Sequence, residues 1–176
     1  MQAQIYAFCS IPNFVPNIFY MSAPKLPELN FPQAEFRIQE EEGLHKIFDP
    51  VRKKFVVLTP EEWVRQHVIT YLSGGKGYPL SLLMVEKEFT YNKLSKRADI
   101  VACNNKGKPV LIVECKSADV EITQEVFDQV VRYNMTMQVS VLVITNGINT
   151  FCCSLEGGNY KALEDIPSYK ELTNNE

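Results

Sequence analysis

The chain has 176 residues, of which 45% are hydrophobic and 22% charged, with a formal net charge of −3. That length suits one domain whose core needs no covalent staple, and the composition fits neither a disordered chain nor a membrane span. The slightly acidic balance excludes a protein coated in basic surface but leaves room for a local basic patch.

Residues 1–20, "MQAQIYAFCSIPNFVPNIFY", are apolar, yet they lack a basic n-region and are interrupted by Pro12 and Pro16, so they do not read as an export signal. Met21 begins a more ordinary stretch, and the first twenty residues read as an irregular N-terminal extension that adds little to the fold. Residues 21–58 form a segment of short antiparallel strands: Phe36 to Leu58 gives two or three of them, with turns at "EEEG" and "DPVRKK". A core follows over residues 59–165. "TPEEWVRQHVITYL" starts it as a helix, with Thr59 as N-cap, Pro60 at the first helical position and acids in the first turn, and "SGGKGYP" stops it.

"SLLMVEKEF", "RADIVAC" and "KPVLIVECK" read as three strands of an antiparallel meander, joined by "TYNKLSK" and "NNKGK". The helix "TQEVFDQVVRYNMTM" turns Val126, Phe127, Val130, Val131 and Asn134 inward and leads to the apolar strand "VSVLVITNG". Strand, helix and strand in that order make a crossover, so the last strand lies parallel to "LIVECK" in a sheet covered on both faces. The class is mixed α/β. "NTFCCSL" adds a final strand, and residues 166–176 read as a polar tail. Five cysteines, Cys9, Cys103, Cys115, Cys152 and Cys153, have no metal-ligand spacing and only His45 and His67 to help them, so they read as small apolar residues of a cytoplasmic protein.

Alternation along the strand puts Ile112, Glu114 and Lys116 on one face and Leu111, Val113 and Cys115 on the other. Asp99, one strand earlier, lies near the same end as Glu114. Two converging carboxylates repel unless a cation sits between them, and hard oxygen ligands without a usable histidine suit Mg²⁺ or Mn²⁺ better than zinc. The alternative is a Glu114–Lys116 pair at an exposed strand end, with Asp99 serving only a hairpin. Gly74-Gly75-Lys76 lacks the spacer and the following Ser or Thr of a phosphate loop. Between residues 87 and 116 seven basic side chains outnumber three acids, a local positive charge suited to phosphate contacts that do not read bases.

Asp99 followed by the strand ending in Glu114-Cys115-Lys116 resembles the PD-(D/E)XK nuclease motif, with Ala98 where that signature has proline. Gln129 and Tyr133 are similar to the QxxxY element of the subgroup that includes RecB-like nucleases. Together "PEEWVRQ", "EKEF", "RADIV", "VECK", "FDQVVRYN" and "LVITNG" resemble the amino-terminal nuclease domain of type I restriction enzyme R subunits, over roughly residues 45 to 155. The resemblance implies a restriction-endonuclease-like fold, a mixed central sheet flanked by helices, here with an N-terminal antiparallel strand appendage. It implies a metal-dependent DNA endonuclease in which Asp99 and Glu114 hold Mg²⁺ or Mn²⁺ with the Cys115 main-chain carbonyl, and Lys116 assists the water.

An acid on the first helix is implied too. Glu62 matches it better than Glu61, although Thr59-x-x-Glu62 also reads as a capping box. Gln129 and Tyr133 would contact the active-site residues or the nucleic acid, or else tie the helix to the sheet. Arg97 pairs with Asp99 or Glu88, or touches phosphate. Type I R subunits carry an ATP-driven motor for which this chain is too short, so it would act alone, as a homo-oligomer, or with restriction-modification subunits. A non-catalytic nucleic-acid-binding or assembly module on the same scaffold is the alternative.

Overall fold

The computed structural model describes residues 26–91, 94–137 and 139–174, so the extension at residues 1–20 lies outside the described residues. Three strands, β1 (Ile38–Glu41), β2 (Leu44–Asp49) and β3 (Lys54–Val57), make a small antiparallel sheet with β2 at its centre. Helix α1 (Pro60–Thr70) follows, its first turn closed by the Thr59 hydroxyl, which accepts from the Glu62 amide at 3.0 Å. A π-helical turn, Tyr71–Gly75, extends it.

The main sheet contains β4 (Leu83–Tyr91), β5 (Leu94–Cys103), β6 (Pro109–Cys115), β7 (Val141–Thr145), β8 (Thr150–Glu156) and β9 (Asn159–Leu163), in that spatial order. Helix α2 (Gln124–Met137) carries the chain from β6 to β7, which are parallel in the register Leu111↔Val141 to Cys115↔Thr145. Every other pair is antiparallel. The crossover read from the sequence is therefore present, and β6 and β7 are buried on both faces, which is why Val110–Val113 and Val141–Ile144 are apolar without interruption.

Alternation divides the core in two. Ile100, Ala102, Leu111, Val113, Val141 and Val143 pack against Val64, Val68 and Ile69 of α1 and Leu72 of the π-helical turn. Val101, Ile112, Leu142 and Ile144 pack on the other face with Val126, Phe127, Val130 and Val131 of α2. Neighbouring Cys152 and Cys153 separate the same way, one into each layer. No helix among the described residues is long and apolar enough to cross a membrane.

The C-terminal part departs from the sequence reading. Gly157 and Gly158, both at positive φ, make a two-residue turn into β9, a strand the sequence reading left out. The tail is docked as well: Ile166 is buried, and helix α3 (Tyr169–Thr173) opens on a Ser168–Glu171 capping box and packs Tyr169 and Leu172 against the α1 layer.

Cys103, Cys115, Cys152 and Cys153 are free and buried. Burial raises each thiol pKa, that of Cys152 to about 12 with Cys153 contributing. A raised thiol pKa keeps the unreactive protonated form as pH rises. These four thiols are expected to stay silent toward a chromogenic disulfide at about pH 8 and to react once the chain is denatured, as absorbance titration would read.

Candidate active site

The β5–β6 ladder runs from Cys103↔Pro109 to Ile100↔Val113 and stops there. Beyond that point β5 stays with β4, through Lys87↔Ala98, while β6 stays with β7 through Cys115↔Thr145 and a bond from the Lys116 amide to the Thr145 carbonyl at 2.8 Å. Asp99 stands at the divergence. Its Oδ2 accepts from the Cys115 amide at 2.7 Å, so a side chain satisfies the donor that the departing strand no longer reaches. Opposite Asp99, Glu86 holds a φ of +52°, a conformation rare for a residue with a Cβ, and breaks the regularity of the edge strand.

Glu114 and Lys116 emerge from the end of β6 beside this notch. Lys116 Nζ donates to Glu114 Oε1 at 2.7 Å, so each charge at the strand end compensates the other. The compensation is incomplete. Burial and then the Asp99 charge push the Glu114 carboxyl above its ordinary pKa, and the bond from Lys116 reverses only part of that. Burial works against the Lys116 cation, but Glu114, Asp99 and Glu61 outweigh it and raise its pKa.

Asp99 Oδ1 accepts from Arg65 Nη2 at 2.7 Å, and the same nitrogen lies 2.8 Å from Glu61 Oε1. Arg65 Nη1 donates to Glu62 Oε2. Burial disfavours the Arg65 charge, yet Asp99 and Glu62 hold its pKa above the ordinary value. Arg52, from the turn after β2, donates to Glu62 Oε1 at 2.5 Å, and Gln66 reaches that oxygen at 2.8 Å. Neither Arg65 nor Arg52 is a residue that the sequence reading singled out. The signal for Arg65 was its spacing, three and four residues after the two helix acids. Arg52 gave none toward the site, because Glu62 and Glu86, the partners that tie it there, are distant in sequence.

Asp99, Glu114, Lys116 and the Cys115 backbone thus come together at the notch. Glu62 is drawn instead into the arginines, its side chain 6% exposed. The box with Thr59 forms only in half, since the Glu62 carboxylate goes to Arg52, Arg65 and Gln66, and the Thr59 amide bonds the Val57 carbonyl. Glu61 is the helix acid whose charge acts on both Glu114 and Lys116. Arg97 sits 3.5 Å from Glu86, while Asp99 is taken by Arg65. Positions 129 and 133 fall within α2, but their side chains lie outside the described residues.

Among the described residues the charges do not balance: Asp49, Glu61, Glu62, Glu86, Asp99 and Glu114 face Arg52, Arg65, Arg97 and Lys116, six acids to four cations. Among the described residues no three His, Cys, Asp or Glu side chains form a metal cage. An ion at the notch would have two carboxylates, with main-chain, water or substrate oxygens completing its shell, a donor set that suits Mg²⁺ and its retained waters.

Residues 60–167 match the family described as the type I restriction enzyme R protein N terminus. No curated protein matches the chain. A solved fragment described as an HsdR subunit of a type I restriction enzyme from Vibrio vulnificus YJ016 aligns over 66% of this chain with a TM-score of 0.51 and 20% identity. The aligned part makes up 25% of that fragment, so the likeness concerns the fold of about a quarter of it.

The two helix acids differ in what they support. Glu62→Gln leaves Arg52 and Arg65 underpaired in the interior and should cost about 3 kcal/mol. Glu61→Gln, at a side chain 45% exposed, should cost under about 1 kcal/mol. Urea unfolding of the two variants measures the difference, and equal losses would contradict this assignment.

Proposed function

This chain belongs to the family of type I restriction enzyme R protein amino termini, and we propose that it is a metal-dependent nuclease domain hydrolysing DNA phosphodiesters on a PD-(D/E)XK, restriction-endonuclease-like fold. The observation that carries the reading is the notch itself: two carboxylates from adjacent strands and an amine gathered where β5 and β6 part, with acids outnumbering cations around it among the described residues.

Asp99 and Glu114 would hold Mg²⁺ or Mn²⁺ with the Cys115 main-chain carbonyl. When bound, such an ion polarises phosphoryl oxygen and lowers the pKa of a coordinated water. Lys116 orients the attacking water and offsets charge developing on the phosphate. Glu61 takes the role of the first-helix acid, leaving Glu62 to hold Arg65. Exposed Lys87, Arg97, Lys106 and Lys108 supply phosphate contacts without base reading. The partners are DNA and, by family, restriction-modification subunits, and the setting is the cytoplasm.

A non-catalytic binding or assembly role on the same scaffold draws on one observation: both Asp99 oxygens already have protein donors, so that carboxylate is satisfied without an ion. Incubating supercoiled, linear and single-stranded DNA with Mn²⁺ separates the two. The nuclease reading expects cleavage that falls at least about a hundredfold in Asp99→Ala and in Lys116→Ala. The binding role expects no cleavage, and salt-sensitive DNA binding that survives chelation and Glu114→Ala. Unchanged cleavage in either the Asp99 or the Lys116 variant would refute the assignment of the site.

A further inference from the structure

An unbroken line of ion pairs joins the small sheet to the notch. Fully buried Asp49 fixes the turn after β2, its Oδ1 accepting from the amides of Val51 and Arg52 at 2.7 Å each. That turn presents Arg52, and each of its three guanidinium nitrogens meets a different carboxylate. Nε lies 2.6 Å from Asp49, Nη2 2.5 Å from Glu62 and Nη1 2.7 Å from Glu86. Glu62 holds Arg65, and Arg65 holds Asp99 at 2.7 Å.

We propose that Arg52 is a positioning residue of the active site, which makes the β2–β3 turn of the small sheet a component of the metal site. This rests on the reading of Asp99 as a metal ligand. A carboxylate presents its remaining lone pairs to an ion in a fixed direction only when its plane is fixed, and groups behind a metal ligand commonly do this. Two donors fix Asp99: the Cys115 amide, set by β6, and Arg65. Arg65 is in turn held only through its terminal nitrogens, since its buried Nε has no partner among the described residues. Its orientation therefore depends on Glu61, which shares Nη2 with Asp99, and on where Glu62 stands at Nη1; Arg52 and Gln66 hold Glu62, and Asp49 and Glu86 brace Arg52 in turn. The planar fork puts a separate nitrogen against each of three carboxylates, whereas the three donors of a lysine ammonium radiate from a single atom that cannot stand in all three places.

The sign of the effect separates positioning from simple electrostatics. Deleting a nearby positive charge strengthens cation binding, whereas losing the alignment of Asp99 weakens it. Mn²⁺ titration of the full chain, followed by electron paramagnetic resonance, reads both affinity and the line shape of the bound ion. Arg52→Lys, which keeps the charge, is expected to bind Mn²⁺ about tenfold more weakly with an altered line shape. Arg52→Gln should also weaken binding, despite its lost cation. Lys46→Gln, which breaks the Lys46–Glu41 pair on the same small sheet, should bind as wild type does.

Wild-type affinity in Arg52→Lys, or tighter binding in Arg52→Gln, overturns the proposal. Should Arg52→Gln fail to fold, Arg52→Lys decides alone. Asp99→Ala is run beside them: if it binds Mn²⁺ as wild type does, the metal-site reading fails on its own account, whatever Arg52 does.

Discussion

A single carboxylate placed between two separating strands organises this protein. Asp99 takes the Cys115 amide on one oxygen and the Arg65 guanidinium on the other, and so allows β5 and β6 to part without leaving a buried donor unsatisfied. Backbone amides in an interior need partners, and a strand that diverges normally loses them. With Asp99 as the wedge, β5 keeps its pairing to β4 and β6 keeps its pairing to β7, while Glu114 and Lys116 leave the end of β6 into the gap. Fold and site share one device.

Such a device needs a cation close by, and the cations come from elements far apart in the chain. Arg65 arrives from α1 and Arg52 from the small sheet, and between them they meet five carboxylates. Buried ion pairs of this kind gain little net stability, because desolvation offsets most of the attraction, and their use lies in fixing geometry. Here the geometry fixed is the entry of α1 relative to the strand split. Among the described residues the acids still outnumber the cations, and the excess is felt at Glu114, where the Asp99 charge adds to the effect of burial.

The apolar layers on either side give this arrangement its rigidity. Helix α1 covers one face of the sheet and α2 the other, so the notch opens at the end of strands that are packed from both sides. The docked C-terminal helix adds to the α1 layer, and Tyr78, nearly fully buried, bonds the Pro167 carbonyl through its hydroxyl at 2.8 Å. A site built on such strands has little freedom to rearrange, which is what aligned carboxylates require.

Local patterns determined much of this. The unbroken apolar runs of β6 and β7, the N-cap at Thr59 and the strand–helix–strand order specify a mixed sheet with a parallel pair at its centre, since each depends on residues a few positions apart. The same alternation brought Glu114 and Lys116 to one strand end and pointed to Asp99. Tertiary structure alone decided what those charges meet. Whether Glu61 or Glu62 turns toward the strands depends on Arg52, whose carboxylates come from three separate elements, and whether residues 166–176 fray depends on Ile166, Tyr169 and Leu172 finding an apolar layer to cover. Periodicity records which way a side chain faces; the partner waiting there belongs to another part of the chain, and only the packed fold brings the two within bonding distance.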